Sequence, residues 1–457
     1  MKYRVERDSL GEVWVPASAY YGPQTQRAVE NFPISGLRLP RAFIRAQGLI
    51  KVSAAMANME TGELDSKTAK AIIQAAEEVI EGKWDSYFVV DVFQAGAGTS
   101  QNMNANELIA NRATELLGGS RYDHTVHPND HVNRAQSTND TIHVAINIAA
   151  AEMLHHQLIP SITSLEEELW KKAEKFASII KSGRTHLQDA VPIRLGQEFS
   201  GYAQTITELK KHLQEASHAL YSIGLGGNAV GTGINAHPQY ASKAIAEIAR
   251  RTGLPFAEPQ NRFSFMQNTT AAIRVSGALK ELAIHLIKIT SDLRLLSSGP
   301  RTGLAEIQLP AVQPGSSIMP GKVNPVILEM IYMVASQVIG NDATITVAGN
   351  GSQLEINVMM PVIAFNLLQS IEILSNAILI LTNKCMLGIE ANLDQCTKWM
   401  EASLSLVTAL NPIIGYDKAA TMAKKAFTEN KTLKQVLEEE GLYTKEVETA
   451  LNPERMV

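Results

Sequence analysis

Residues 315–325 read Gly-Ser-Ser-Ile-Met-Pro-Gly-Lys-Val-Asn-Pro. The stretch sets two hydroxyls (Ser316, Ser317), one cation (Lys322) and one amide (Asn324) on a short segment. Pro314, Gly315, Pro320 and Gly321 interrupt regular structure around them, so a loop is expected. Lys322 offers a point charge, and Asn324 and the serines offer hydrogen-bond donors. That is the equipment for holding a small carboxylate. By composition alone, a solvated turn rich in Ser, Gly and Pro reads equally well.

Three further segments combine polar density with turn chemistry. GAGTSQNMN holds Thr99, Ser100, Asn102 and Asn104. HPNDHVNRAQSTND holds His127, Asn129, Asp130, Ser137, Thr138 and Asn139. SGRTHLQDAVP holds Arg184, Thr185, His186, Gln188 and Asp189. Each abuts a helical pattern, where hydroxyls and amides either cap the helix or cradle an anion at its positive end. His124, His127 and His131 are spaced three and four apart, but Pro128 breaks the register and no cysteine is near, so no metal is expected. The Gly-rich GLGGNAVGTG at 224–233 lacks a GK[ST] ending and a preceding strand. It reads as a turn between helices, not a phosphate loop.

Long helices must position these segments. Apolar residues recur in steps of three and four from Val144 through Leu154, Leu165 and Phe176 to Ile180. A single helix of that length is on the order of 55 Å, and Pro160 inside it should kink it. A second seam runs Phe199, Tyr202, Ile206, Leu209, Leu213, Ala216, Leu220, and a third runs from Val275 to Leu296. Shorter seams follow at Ile327, Ile331, Val334, Val338 and at Leu367, Ile371, Leu374, Ile378. This rhythm predicts an all-α helix bundle. Small residues such as Ala145, Ala149, Ala150, Ala278 and Ala283 give the helices additional faces, which points to self-association. Expected domains are 1–138, a central bundle at 139–394, and a C-terminal domain at 395–457.

The chain has 457 residues and net charge −5, so no basic field for nucleic acid is implied. The amino terminus lacks an apolar signal core. The most apolar stretch, 361–389, is broken by Asn366, Gln369, Glu372 and Asn376 and reads as a buried helix, not a membrane span. Two cysteines without a CxxC pair fit a reducing cytoplasm.

The GSSxMPxKxNP string resembles the signature of the class II fumarase/aspartase superfamily, lyases that break a C–N or C–O bond to release fumarate. The resemblance extends from YYGPQTQRAVENFPIS (20–35) through LRLLSSGPRTGLAEIQLP (293–310) to LNPIIGYDKAA (410–420). It implies a long central helix bundle flanked by two smaller, mostly helical domains. It also implies a homotetramer whose active sites are each built from three subunits, and a reaction needing no metal or organic cofactor. Ser316 would be the base that takes the proton next to a carboxylate. Thr99, Ser137, Thr138 and Ser317 would hold the carboxylate that becomes an enediolate, and Lys322, Asn324 and Thr185 the other one. Asn139 and His186 would face the leaving group, with Glu329 supporting His186. His127, Asn129 and Asp130 match a second, non-catalytic anion site.

The leaving group divides the family, and here the motifs are mixed. GAGTS (96–100), STND (137–140), YYGPQTQRAVENFP and NVM (357–359) resemble aspartases. HPND (127–130), GGNAVGTG and GYDKAA resemble fumarases. After Asn139-Asp140 the family usually continues with an apolar residue and Pro-Thr-Ala, whereas this chain reads Thr141-Ile142-His143-Val144-Ala145. The expected activity is conversion of L-aspartate to fumarate and ammonia. The alternative is hydration and dehydration between fumarate and L-malate, and a non-catalytic, crystallin-like structural role is the reading from another class.

Overall fold

The computed structural model describes residues 2–120 and 122–457. The chain opens with a two-stranded antiparallel ribbon, β1 (Tyr3–Asp8) and β2 (Gly11–Pro16). Helices α1 (Pro23–Asn31), α2 (Arg41–Glu60), α3 (Ser66–Ile80), α4 (Thr99–Leu116), α5 (Thr138–Met153) and α6 (Ile159–Lys175) follow. A second antiparallel hairpin, β3 (Ile180–Thr185) and β4 (Gln188–Arg194), leads into α7 (Leu195–Ser217). Then come α8 (Tyr240–Thr252), α9 (Arg262–Gln267), α10 (Thr270–Leu296), α11 (Val326–Gly349) and α12 (Met360–Lys384), and short helices from Leu393 onward. The fold is mostly helical, as expected.

Two compact units make up the chain, and neither is a continuous stretch. One comprises Met1–Pro160, Lys211–Ala283 and Val334–Ser375. The other comprises Ser161–Lys210, Ile284–Met333 and Asn376–Val457. In the first, α2, α3 and α4 bury Ile44, Val52, Ile72, Ala75, Leu108 and Ile109 in one core. Glycine lets α2 approach α3 closely, since a Cβ on Gly48 would lie 2.8 Å from Ile80 Cγ1. In the second, a separate core joins Met400, Leu406, Leu410, Leu433, Val436 and Val447.

The seams behave as cores of helix packing. Phe199, Ile206 and Leu213 on α7, Val275, Leu279, Leu286 and Leu293 on α10, and Leu367, Ile371 and Ile378 on α12 are wholly buried. On α11 the buried stripe is Leu328, Ile331, Ala335, Val338 and Ile345, while Ile327 and Val334 are only half-buried. That face is rotated by about one position from the expected one.

Two expectations need correction. The helix expected through Ile180 ends at Lys175, and Ile180 starts β3. Pro160 is the second residue of α6, which continues the run. A π-turn at Leu154–Leu158 precedes it, with the Ile159 N–H bonded to Leu154 O, one residue beyond the α-helical partner. The wider turn accommodates a ring that would otherwise crowd the preceding carbonyl. The alanine faces also differ. Ala145, Ala149, Ala150 and Ala283 are buried within the chain, and Ala278 is half-buried. Exposed apolar residues lie elsewhere: Ile273, Ile284 and Leu295 are 38%, 48% and 39% exposed on α10. Their spacing of eleven residues is three helical turns, so they form one stripe.

The helix from Met360 into Gly388 is long and apolar enough to cross a membrane by composition, yet more than half of it is buried inside the protein. It is a core helix.

Candidate active site

Two helices begin side by side in the first unit. Gly98, with φ of +82°, turns the chain into α4, whose first residue is Thr99. Ser137 caps α5 by accepting the Asn139 N–H, and Asp140 returns the favour by accepting the Ser137 N–H at 2.9 Å. The two starts are joined: Asn102 Nδ2 donates to Thr138 Oγ1 at 3.1 Å, and Gly98 packs on Ile142, which a Cβ there would approach to 2.9 Å. Thr99, Ser137, Thr138 and Asn139 thus share the positive ends of two helices, a setting that favours an anion.

Behind them lies a buried polar network. Lys51 donates to Asn102 Oδ1 (3.0 Å), Asn133 Oδ1 (3.1 Å) and Gln136 Oε1 (2.9 Å). Burial pulls its ammonium down to about 7, against the attraction of Asp140. Asp140 in turn accepts the N–H groups of Gly226 (2.9 Å) and Asn228 (2.8 Å), which ties the Gly-rich turn to α5, and burial pushes its carboxyl up to about 6. Asn139 Nδ2 donates to Ala229 O at 2.9 Å in the same turn. The Gly-rich stretch is therefore the helix-connecting turn the sequence implied. Lys51, Asp140 and Asn102 had no assigned role at the sequence level. For Lys51 the signal was a polar stripe, Gln47, Lys51 and Asn58, on the buried face of α2, whose other buried residues except Ser53 are apolar or small.

The unusual Thr141-Ile142-His143 segment is part of α5. His143 is buried beside Phe265, with ring centroids 5.4 Å apart, and its Nε2 has no partner. Burial holds its imidazole down at about 4, so it is neutral near pH 7. Downstream of α11, the Asn357–Met359 segment meets the start of α4: Met360 N–H bonds Gly96 O at 3.0 Å, and a Cβ on Gly96 would come within 1.9 Å of Val358 O. GAGTS and NVM are one structural feature.

The second unit carries the signature loop. Met319-Pro320-Gly321-Lys322 is a type II turn, closed by Lys322 N–H to Met319 O (3.3 Å) with Gly321 at φ +82°. Gly315 N–H bonds Lys322 O (2.8 Å), and Asn324 Nδ2 bonds Gly315 O (2.7 Å). The loop is thus closed upon itself with Ser316 inside the closure. Ser316 Oγ accepts two backbone N–H groups, from Ile318 at 3.2 Å and Met319 at 3.0 Å. Two such donors stabilise an alkoxide, which is what a serine base requires. Ser317 and Lys322 face solvent. Glu329 lies in the first turn of α11.

Thr185 and His186 sit at the end of the β3–β4 hairpin, an element the helical seam had hidden. Thr185 pairs with Gln188 across a two-residue turn, and His186 and Leu187 both have positive φ, +54° and +59°. Such turns favour Asn-Gly, so two bulky residues there carry strain. A buried ion cluster anchors the hairpin: Arg184 and Lys181 both contact Glu306, at 2.9 and 3.2 Å, and Lys181 also reaches Glu198 at 2.8 Å. Among the described residues no hydrogen bond or ion pair joins Glu329 to His186. His127 Nδ1 accepts the Asn129 and Asp130 N–H groups, so it caps a π-turn at Pro128–Val132.

A family model described as lyase matches residues 11–340, and one described as the fumarase C C-terminus matches residues 406–457. The chain belongs to the class II fumarase/aspartase superfamily. Relatives in this superfamily include a class II fumarate hydratase of Thermosynechococcus vestitus, 50% identical over 97% of this chain and 95% of its own. An aspartate ammonia-lyase of a Bacillus species is 49% identical over 99% and 97%. Among solved structures, a fumarate lyase:delta crystallin from Brucella melitensis superposes with TM-score 0.94 at 46% identity, covering 100% of this chain and 99% of that one. A class II fumarase from Schistosoma mansoni superposes with TM-score 0.96 at 37% identity, covering 99% and 98%. The superfamily's fold and its lyase chemistry are therefore those of this protein, and its substrates are dicarboxylates. Relatives of both leaving-group types match almost equally.

Proposed function

We propose that the protein is an aspartate ammonia-lyase, converting L-aspartate to fumarate and ammonia without a cofactor. The observation that carries the choice is the orientation of Asn139. One of its two amide N–H groups donates to Ala229 O, and its oxygen is available to accept from a leaving group. An ammonium has only donors to offer and suits that oxygen. A hydroxyl leaving as water needs a proton delivered to it, which a carbonyl cannot supply. The Gly96–Val358 contact adds support, since it unites the two aspartase-like motifs GAGTS and NVM.

In this reading the Ser316 alkoxide takes the C–H proton next to one carboxylate. The electron pair moves into that carboxylate as an enediolate, held by Thr99, Ser137 and Thr138 at the two helix starts and by Ser317 of the signature loop. The pair then returns to form the C=C bond of fumarate as the C–N bond breaks, and ammonia departs past Asn139 and His186. Lys322, Asn324 and Thr185 hold the other carboxylate, and Glu329 orients His186. Each well-placed donor on the enediolate contributes roughly 3–4 kcal/mol. His127, Asn129 and Asp130 form a second anion site.

The active protein in this reading is a cytoplasmic homotetramer whose sites draw on three subunits. The exposed apolar stripe Ile273, Ile284 and Leu295 on α10 supports association of bundles, and sedimentation of an active monomer would overturn it. The second reading is a fumarase. HPND, GGNAVGTG and GYDKAA favour it, as does the fumarate hydratase of T. vestitus at 50% identity. Fumarate absorbance followed with L-aspartate and L-malate side by side separates the two. Rapid malate turnover with no aspartate turnover overturns the ammonia-lyase.

A further inference from the structure

The hydrogen-bond network behind Thr138 ends on Lys51, which has no part in the reaction above. Lys51 is 1% exposed, on the buried face of α2. Its three N–H groups meet three side-chain oxygens, those of Asn102, Asn133 and Gln136, at 2.9 to 3.1 Å. An ammonium has no acceptor, so each amide must turn its oxygen toward it.

That sets the direction of the bonds beyond. With its oxygen held by Lys51, Asn102 presents only its NH2, which donates to Thr138 Oγ1 at 3.1 Å and to Asn133 Oδ1 at 3.2 Å. Thr138 Oγ1 is thereby an acceptor within the protein, and its single proton is directed elsewhere. The neighbouring Thr141 hydroxyl is committed to Ser137 O at 3.0 Å. Thr138 is the first residue of α5, where an anion would sit. We infer that Lys51 is a positioning residue: through Asn102 it fixes Thr138 as a hydrogen-bond donor to the substrate carboxylate. This rests on the reading that Thr138 holds a carboxylate. The network is polarised so that the N–H donors of Lys51, deep in the protein, are expressed through Asn102 as a hydroxyl donor at the site.

The test is a double-mutant cycle on the full-length protein, with kcat, KM and the calorimetric affinity for fumarate as readouts. Lys51→Met fills the space without donors. It is expected to raise KM and the fumarate Kd by about tenfold alone. In the Thr138→Val background it should add less than about twofold, because the hydroxyl it acts on is gone. Equal losses in both backgrounds would mean a purely structural role and overturn the inference. Should Lys51→Met fail to fold, Asn102→Asp carries the test. It keeps an oxygen for Lys51 but has no N–H for Thr138, so the hydroxyl turns inward and fumarate Kd rises as in Thr138→Val. An unchanged Kd overturns the inference. Wild-type turnover of L-aspartate and L-malate is measured first. Malate turnover alone overturns only the ammonia-lyase reading, while fumarate coupling still judges Lys51; no fumarate binding overturns both.

Discussion

Ser316 Oγ lies 3.0 Å from the Met319 backbone nitrogen and accepts its N–H. The bond comes from three residues ahead in the same loop, so the loop that carries the base also lowers the cost of its deprotonation. Ser316→Ala is expected to reduce kcat by on the order of a thousandfold while fumarate still binds, because only the proton acceptor is lost. Steady-state rates with titrated fumarate test this. Substantial residual turnover would remove Ser316 from the base role.

The loop closure makes a second, sharper prediction. A Cβ on Gly315 would stand 2.6 Å from Lys322 O and 2.8 Å from Asn324 N, whereas one on Gly321 meets nothing. Gly315→Ala must therefore open the loop and displace Ser316, with an expected loss of about a hundredfold in kcat/KM from misplacement. Gly321→Ala suffers only its positive φ, a cost of about 1 kcal/mol. The two melting temperatures should be close and the two activities far apart. Equal activities would contradict the closure.

The hairpin tip separates stability from function. His186 at φ +54° is a strained position, and asparagine tolerates that conformation better than most residues. His186→Asn is expected to melt at or above the wild-type temperature while kcat falls. A variant that melts lower would show that His186 is held there for packing.

His143 makes stability depend on pH in a definite direction. Its folded value is about 4 against an ordinary 6.5. As pH falls through 6.5 the unfolded chain gains a proton that the native chain refuses, so native stability is lost down to about pH 4. The loss approaches ~3 kcal/mol for one site. Asp140 and Glu107, pushed up to about 6 and about 7 by burial, act oppositely, since their burial penalty fades as pH falls. His143→Leu should cancel only the first effect. Unfolding of both proteins from pH 7 to 4.5 should show wild type losing ground to the variant, and a gap independent of pH would exclude a buried neutral imidazole.

The chemistry of single segments was legible in the residues. The turn at Met319–Lys322 needed only Pro-Gly in sequence, because proline presets one dihedral and glycine permits the next. The seams on α7, α10 and α12 followed from period, since burial on a helix repeats every three or four positions. Hydroxyls abutting a helical pattern were expected to cap it, and Ser137 does cap α5, while its reciprocal partner Asp140 went unread. Periodicity failed at Ile180, where an apolar residue in helical register belongs to a strand, and Pro160 could not reveal the π-turn before it. What no local rule contained was pairing at distance. Asn102 meets Thr138 from 36 residues away and Lys51 meets Gln136 from 85 away. Which amide faces which donor depends on three helices packing together, and so the direction of each hydrogen bond at the site was decided by tertiary structure alone.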